Sequence, residues 1–210
     1  MPTVLGIDEA GRGPCIGPMV IAGVLVDWAG LTRLIELRVR DSKLLSPRRR
    51  SWLFDKIKTV AKNYRIISIS PREIDAIITR PGMNLNWLEA SKSAQIINAL
   101  KPDQAIIDCP SPNTKAYRAR IEGALKAKTA LVVENKADFK YPVVAAASIL
   151  AKVSRDLAIA RLRRRYGNLG SGYPSDPVTK AFMAANWERY PELFRHSWAC
   201  YARLAAARRV

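Results

Sequence analysis

Four carboxylates stand where this sequence can do chemistry: Asp8 and Glu9, where an apolar run meets glycines; Asp108, closing Ala105-Ile106-Ile107; and Asp138, shortly after the apolar residues 131–133. Acidic residues at or just beyond strand ends are candidates for metal ligation, because open α/β sheets build their sites at the carboxyl ends of their strands. Carboxylate oxygens are hard ligands that suit Mg²⁺ or Mn²⁺ and are poor for zinc. No histidine cluster competes, since His196 is the only histidine. Four converging carboxylates repel one another and raise some of their pKa values unless cations neutralise them, so convergence would require metal.

Asp8 and Glu9 belong to the stretch Gly6-Ile7-Asp8-Glu9-Ala10-Gly11-Arg12-Gly13-Pro14. Successive strand side chains point to opposite faces, so these two acids share a site only if the chain turns directly after Asp8. Gly11 and Gly13 predict such a turn, and their lack of side chains lets a ligand come close to the backbone around Arg12.

The elements that must position these residues follow from periodicity. Short apolar strands are predicted at residues 4–7, 18–27, 64–70, 105–108 and 130–134. Ser46-Pro47 predicts a helix start with a basic outer face, Pro71 opens a short helix to about Ile78, and helices follow over residues 85–100 and 113–126. Pro142 opens a long Ala-rich helix to about Arg165, closed by Gly167. On it Ala145, Ile149, Val153 and Leu157 are expected to form an apolar face, and Ser148, Lys152 and Arg155 a polar one. Helices broken at Pro191 complete the chain, with Trp187 and Trp198 as core residues. Early strands with short connections, then strands joined through helices, predict an α/β fold with a mixed sheet.

The 210 residues suit one domain with a helical appendage. Thirty-five Lys and Arg against eighteen Asp and Glu give a net charge of +17, which points to a polyanionic partner, nucleic acid first. Cys15, Cys109 and Cys200 form no Cys-x-x-Cys, so neither a zinc site nor a disulfide scaffold is indicated; Cys15 and Cys109 are read as packing residues. No apolar run is long enough for a signal peptide or a membrane span, so a cytoplasmic protein with no membrane partner is expected.

The Asp-Glu strand running into Gly11-Arg12-Gly13 resembles the signature of the type 2 ribonucleases H (ribonuclease HII). Three more blocks resemble the same family in the same order: Asp41-Ser42-Lys43-Leu44-Leu45-Ser46; Lys136-Ala137-Asp138 followed by residues 141–149; and Gly170-Ser171-Gly172-Tyr173-Pro174-Ser175-Asp176-Pro177. The resemblance implies the ribonuclease H-like fold, with a five-stranded mixed sheet flanked by helices. It divides the chain into a catalytic domain over residues 1–177 and a helical extension over 178–210 packed on it. It also implies a monomeric endonuclease that hydrolyses the RNA strand of RNA-DNA hybrids and cuts 5′ of ribonucleotides in duplex DNA, leaving 5′-phosphate and 3′-hydroxyl ends.

In that family Asp8, Glu9, Asp108 and Asp138 would be the catalytic residues and the ligands of two Mg²⁺ or Mn²⁺ ions, one activating a water and the other stabilising the leaving oxygen. Gly11, Arg12, Gly13, Lys43 and Tyr173 would bind substrate, while Lys152 and Arg155 are either phosphate ligands or partners of the site carboxylates. Many relatives carry His where this chain has Asn135, which can hydrogen-bond but cannot shuttle a proton at neutral pH. No Gln-x-x-hydrophobic-x-x-aromatic-aromatic ending is found, so docking on a sliding clamp is not expected. Two rival functions leave the same traces: a basic nucleic-acid binding protein without catalysis, and a metal-dependent nuclease acting on ends.

Overall fold

A computed structural model describes residues 1–39 and 45–207. A five-stranded sheet carries the fold, in the order β3-β2-β1-β4-β5. Its strands are β1 (Val4–Ala10), β2 (Met19–Val26), β3 (Asn63–Ile69), β4 (Gln104–Asp108) and β5 (Ala130–Glu134). β1 pairs antiparallel with β2, and β1 with β4 and β4 with β5 are parallel, which makes the sheet mixed as expected. The β2–β3 connection is not short, for it carries α1 (Trp28–Glu36) and α2 (Pro47–Val60). Of these α1 has no counterpart among the predicted elements; Asp27, expected as the end of a strand, instead caps this helix by accepting from the Gly30 amide.

The predicted helix starts agree with the structure. Ser46 and Ser70 cap α2 and α3 (Pro71–Ile78), each with a proline in the first turn. α4 runs over Leu85–Leu100, and α5 (Thr114–Glu122), capped by Asn113, ends at Gly123 instead of continuing to residue 126. A single turn, α6 (Ala137–Lys140), precedes α7 (Pro142–Tyr166), and α8 (Pro177–Asn186), a 3₁₀ turn at Pro191–Leu193 and α9 (Ala199–Ala207) follow.

The chain forms two compact units. One comprises Met1–Ala10, Val20–Ile67 and Asn86–Ser154; the other comprises Gly11–Met19, Ser68–Leu85 and the chain from Arg155 onward. In the first unit, β2 residues Val20, Ala22, Val24 and Val26 pack with Leu34, Leu53, Ile57 and the α7 run Val143–Ala147, Ile149 and Leu150. Gly6 permits this packing, since a Cβ there would lie 2.3 Å from the Val143 carbonyl. On the opposite face of the sheet, Leu5 and Ile7 meet Gly23 and Ile96 of α4.

The second unit has its own core of Cys15, Ile16, Ile159, Leu169, Phe182, Met183, Leu193 and Phe194, with Trp187 and Trp198 packed against it half-buried. Leu157, expected on the apolar face of α7, is instead 48% exposed. The three cysteines are unbonded. Among the described residues no helix is long and apolar enough to cross a membrane.

Candidate active site

Asp8, Asp108 and Asp138 come together in the first unit, each offering a carboxylate oxygen within 4.8 Å of the others. β1 and β4 lie side by side and parallel, so Asp8 and Asp108 sit at the same end of neighbouring strands. Asp138 arrives from α6, and the turn leading to it is tied to Asp108, whose Oδ1 accepts from the Ala137 amide at 2.8 Å. That turn begins at Lys136 in the left-handed region, φ 58°, an uncommon conformation for a residue with a side chain. Asp8 and Asp138 are buried and Asp108 is half-buried. Burial, with Glu9 and Asp108 alongside, pushes the Asp8 carboxyl well above the usual carboxylate range, against hydrogen bonds from Ser148 and from the Glu9 amide. Three hard oxygen donors so placed can hold a divalent cation.

Glu9 does not join these three. The strand continues through Ala10 and keeps Glu9 in the ladder opposite Ile21, so alternation sends it to the other face of the sheet. The expected turn comes after Ala10, too late to bring the two side chains to one point. Glu9 falls instead on the side of Glu89 and Tyr117. Burial, followed by the charges of Glu89 and Glu9, pushes the Tyr117 hydroxyl upward. Glu89 is 1% exposed on α4 and was missed by sequence reasoning, which read that helix only for its apolar stripe.

Asn135 braces the site's loops. Its amide nitrogen donates to the carbonyls of Cys109 at 2.5 Å and Ser111 at 2.9 Å, which ties the end of β5 to the chain leaving β4. Ser148 of the predicted polar stripe is buried beside Asp8. Lys43, with most of its Asp-Ser-Lys block, lies outside the described residues.

The second unit brings Gly11, Gly13 and Tyr173 together. Gly11 adopts φ +87°, and a Cβ there would meet Arg155 Cδ at 2.3 Å; a Cβ on Gly13 would lie 3.4 Å from the Tyr173 ring. The Tyr173 ring is 41% exposed, on a loop fastened by Asp176, whose Oδ2 accepts from the Ser171 amide at 2.6 Å. Hydrogen bonds from the Ser171 and Val178 amides hold the Asp176 carboxyl down at about 2. The Gly172 carbonyl accepts from the amides of Cys15 and Ile16, joining this loop to the glycine loop. Burial pushes the Cys15 thiol up to about 12, consistent with a packing residue.

Arg155 is no exposed phosphate ligand. It is 3% exposed, and its guanidinium carbon lies 5.5 Å from the Tyr173 ring centroid. Lys152 is half-buried. Sequence reasoning also missed Arg195, a fully buried arginine whose guanidinium donates to the carbonyls of Gly11, Arg12 and Gly17. Its partners lie far away along the chain, and no local pattern announces them.

Residues 5–201 match the family described as Ribonuclease HII. Ribonuclease HII of Pyrococcus furiosus is 44% identical over 198 residues, covering 92% of this chain and 87% of the relative. Among solved structures, the ribonuclease H2 of Pyrococcus horikoshii OT3 is similar with a TM-score of 0.91 and 38% identity, covering 99% of each chain. The ribonuclease HII of Archaeoglobus fulgidus, solved in a complex with PCNA, is similar with a TM-score of 0.84 and 38% identity, covering 93% of this chain and 95% of that one. PCNA is a partner of that relative.

Proposed function

This chain belongs to the ribonuclease HII family and is a ribonuclease H, and on that premise we propose that it cuts the RNA strand of RNA-DNA hybrids internally and incises duplex DNA 5′ of single ribonucleotides. The observation that carries the proposal is the group formed by Asp8, Asp108 and Asp138. Its donors are all carboxylate oxygens, which fits Mg²⁺ or Mn²⁺, and a cation held there would offset the burial and the like charges that raise the Asp8 carboxyl. Two such ions, when bound, supply an activated water and charge stabilisation for the leaving 3′ oxygen.

The chain's own residues do the rest. Asp8, Asp108 and Asp138 hold the ions, Glu9 adds its negative charge from the adjacent strand position, where it already acts on Asp8, and Asn135 keeps the loops bearing Asp108 and Asp138 in register. The Gly11-Arg12-Gly13 backbone recognises the 2′-hydroxyl, the one chemical handle that separates ribose from deoxyribose. Tyr173 packs on the following sugar and favours one lacking a 2′-hydroxyl, which directs cutting to RNA-to-DNA junctions. Lys43 contacts phosphate. The test is a gel of an internally labelled hybrid with and without Mg²⁺. The proposal expects internal RNA fragments with Mg²⁺ only. Stepwise shortening would indicate an end-acting nuclease, and binding without cutting a non-catalytic protein; either result overturns it.

A further inference from the structure

The carbonyls of the glycine loop are all taken up by one distant segment. Arg195, 184 positions beyond Gly11, donates from Nη2 to the Gly11 carbonyl at 2.7 Å. Its Nη1 donates to the Arg12 carbonyl at 3.0 Å, and Nη2 and Nε donate to the Gly17 carbonyl at 3.1 and 3.2 Å. Trp198, whose ring centroid lies 4.8 Å from the guanidinium carbon, completes the set by donating from Nε1 to the Gly13 carbonyl at 3.3 Å. Arg195 is fully buried, and its own amide donates to the Cys15 carbonyl at 3.0 Å. A planar fork of five donors on three nitrogens can reach carbonyls spread along a loop; a lysine ammonium gathers its three donors on one nitrogen.

This arrangement has a stereochemical consequence. No peptide bond is cis, and in a trans peptide the carbonyl of one residue and the amide of the next point in opposite directions. With the carbonyls of Gly11 and Arg12 turned towards Arg195, the amides of Arg12 and Gly13 are turned away from it. The third carbonyl, on Gly13, precedes Pro14, which has no amide hydrogen. Two adjacent donors therefore face the side opposite the arginine. We infer that Arg195, assisted by Trp198, is a positioning residue that fixes the loop so that the Arg12 and Gly13 amides present a paired donor to an oxygen of the ribonucleotide. The inference rests on the ribose-reading role proposed above and names what enforces it.

A merely structural brace would lower the melting temperature and leave turnover per folded molecule intact. Arg195→Lys keeps the charge and loses the fork; Trp198→Phe keeps the ring and loses only the donor to Gly13. For each variant, the melting temperature, Mn²⁺ binding, kcat and KM on a duplex with one ribonucleotide are measured. The expected result is unchanged Mn²⁺ binding with kcat/KM lowered about tenfold or more in Arg195→Lys and about threefold in Trp198→Phe, because small misplacements of a donor cost rate steeply. If Arg195→Lys fails to fold, Trp198→Phe decides alone. Wild-type kcat/KM in the folded variants overturns the positioning role. A wild-type enzyme that spares the single ribonucleotide sinks the ribose-reading role itself, whatever the variants do.

Discussion

Replacing Asp8 by Asn should make the metal-free protein more stable and blunt its response to metal. Asp8 is 5% exposed, and burial is the first cause of its raised pKa, ahead of the charges of Glu9 and Asp108. A folded pKa above the unfolded value of 3.8 means that the folded state holds its proton more tightly than the unfolded chain does. The carboxyl therefore costs no stability below the unfolded value, and a penalty grows as pH rises from there through the folded pKa, above which metal-free wild type carries it in full. Asn removes the charge and keeps the shape. A cation that binds only the folded state at a hundredfold excess over its Kd adds about 2.7 kcal/mol. At roughly 2–4 °C per kcal/mol for a chain of this size, wild type should gain about 5–11 °C on saturation with Mg²⁺ or Mn²⁺. Scanning calorimetry of both proteins, with chelator and with metal, reads this directly. Asp8→Asn should start higher and gain less than half as much. An Asn variant that gains as much as wild type would show that Asp8 is not a ligand, and a wild type indifferent to both metals would refute the convergence of the acids on a cation.

Other outcomes are open to direct measurement. Binding to hybrid in Ca²⁺ should weaken steeply between low and moderate salt, because a net charge of +17 facing phosphates releases counterions; a flat salt dependence would count against a basic docking surface. Tyr173→Ala should lose much of the incision at a single ribonucleotide while retaining Mn²⁺ affinity, and Gly11→Ser should impair it too, since φ +87° strains a side chain and its Cβ meets Arg155 at 2.3 Å. Equal activity in either variant would remove that residue from substrate recognition. For Asp176, folded pKa about 2 against 3.8 unfolded, the stabilisation is fully present above the unfolded value and is lost as pH falls through about 2. An NMR titration of this carboxyl that returns an ordinary midpoint would contradict the hydrogen bonds assigned to it.

Local rules carried the sequence far where the causes are local. The proline-and-serine helix starts at Ser46-Pro47 and Ser70-Pro71 agree with the structure because a cap acts within four residues. Asp8, Asp108 and Asp138 were legible because the ends of adjacent parallel strands meet. The face that Glu9 takes was not, since it depends on whether the strand stops at Asp8 or continues to Ala10, and the ladder with Ile21 and Val20 of β2 decides that. Leu157 failed for a geometric reason: at 3.6 residues per turn each step of four advances about 40°, so three steps from Ala145 rotate it about 120° off the buried face. Arg195 and Glu89 had no signal at all. Charged side chains are expected outside unless paired, and the carbonyls that satisfy Arg195 come from the far end of the chain.

The most direct test of the central claim is the mapping of cuts in an internally labelled DNA duplex carrying one ribonucleotide, beside an all-DNA control, in Mg²⁺. The account predicts one incision, on the 5′ side of the ribonucleotide, leaving 3′-hydroxyl and 5′-phosphate ends, with the control intact. An enzyme that spares the single ribonucleotide while cutting long hybrids would contradict the ribose-reading role of Gly11, Arg12, Gly13 and Tyr173. Cutting of the all-DNA control would contradict recognition of the 2′-hydroxyl altogether.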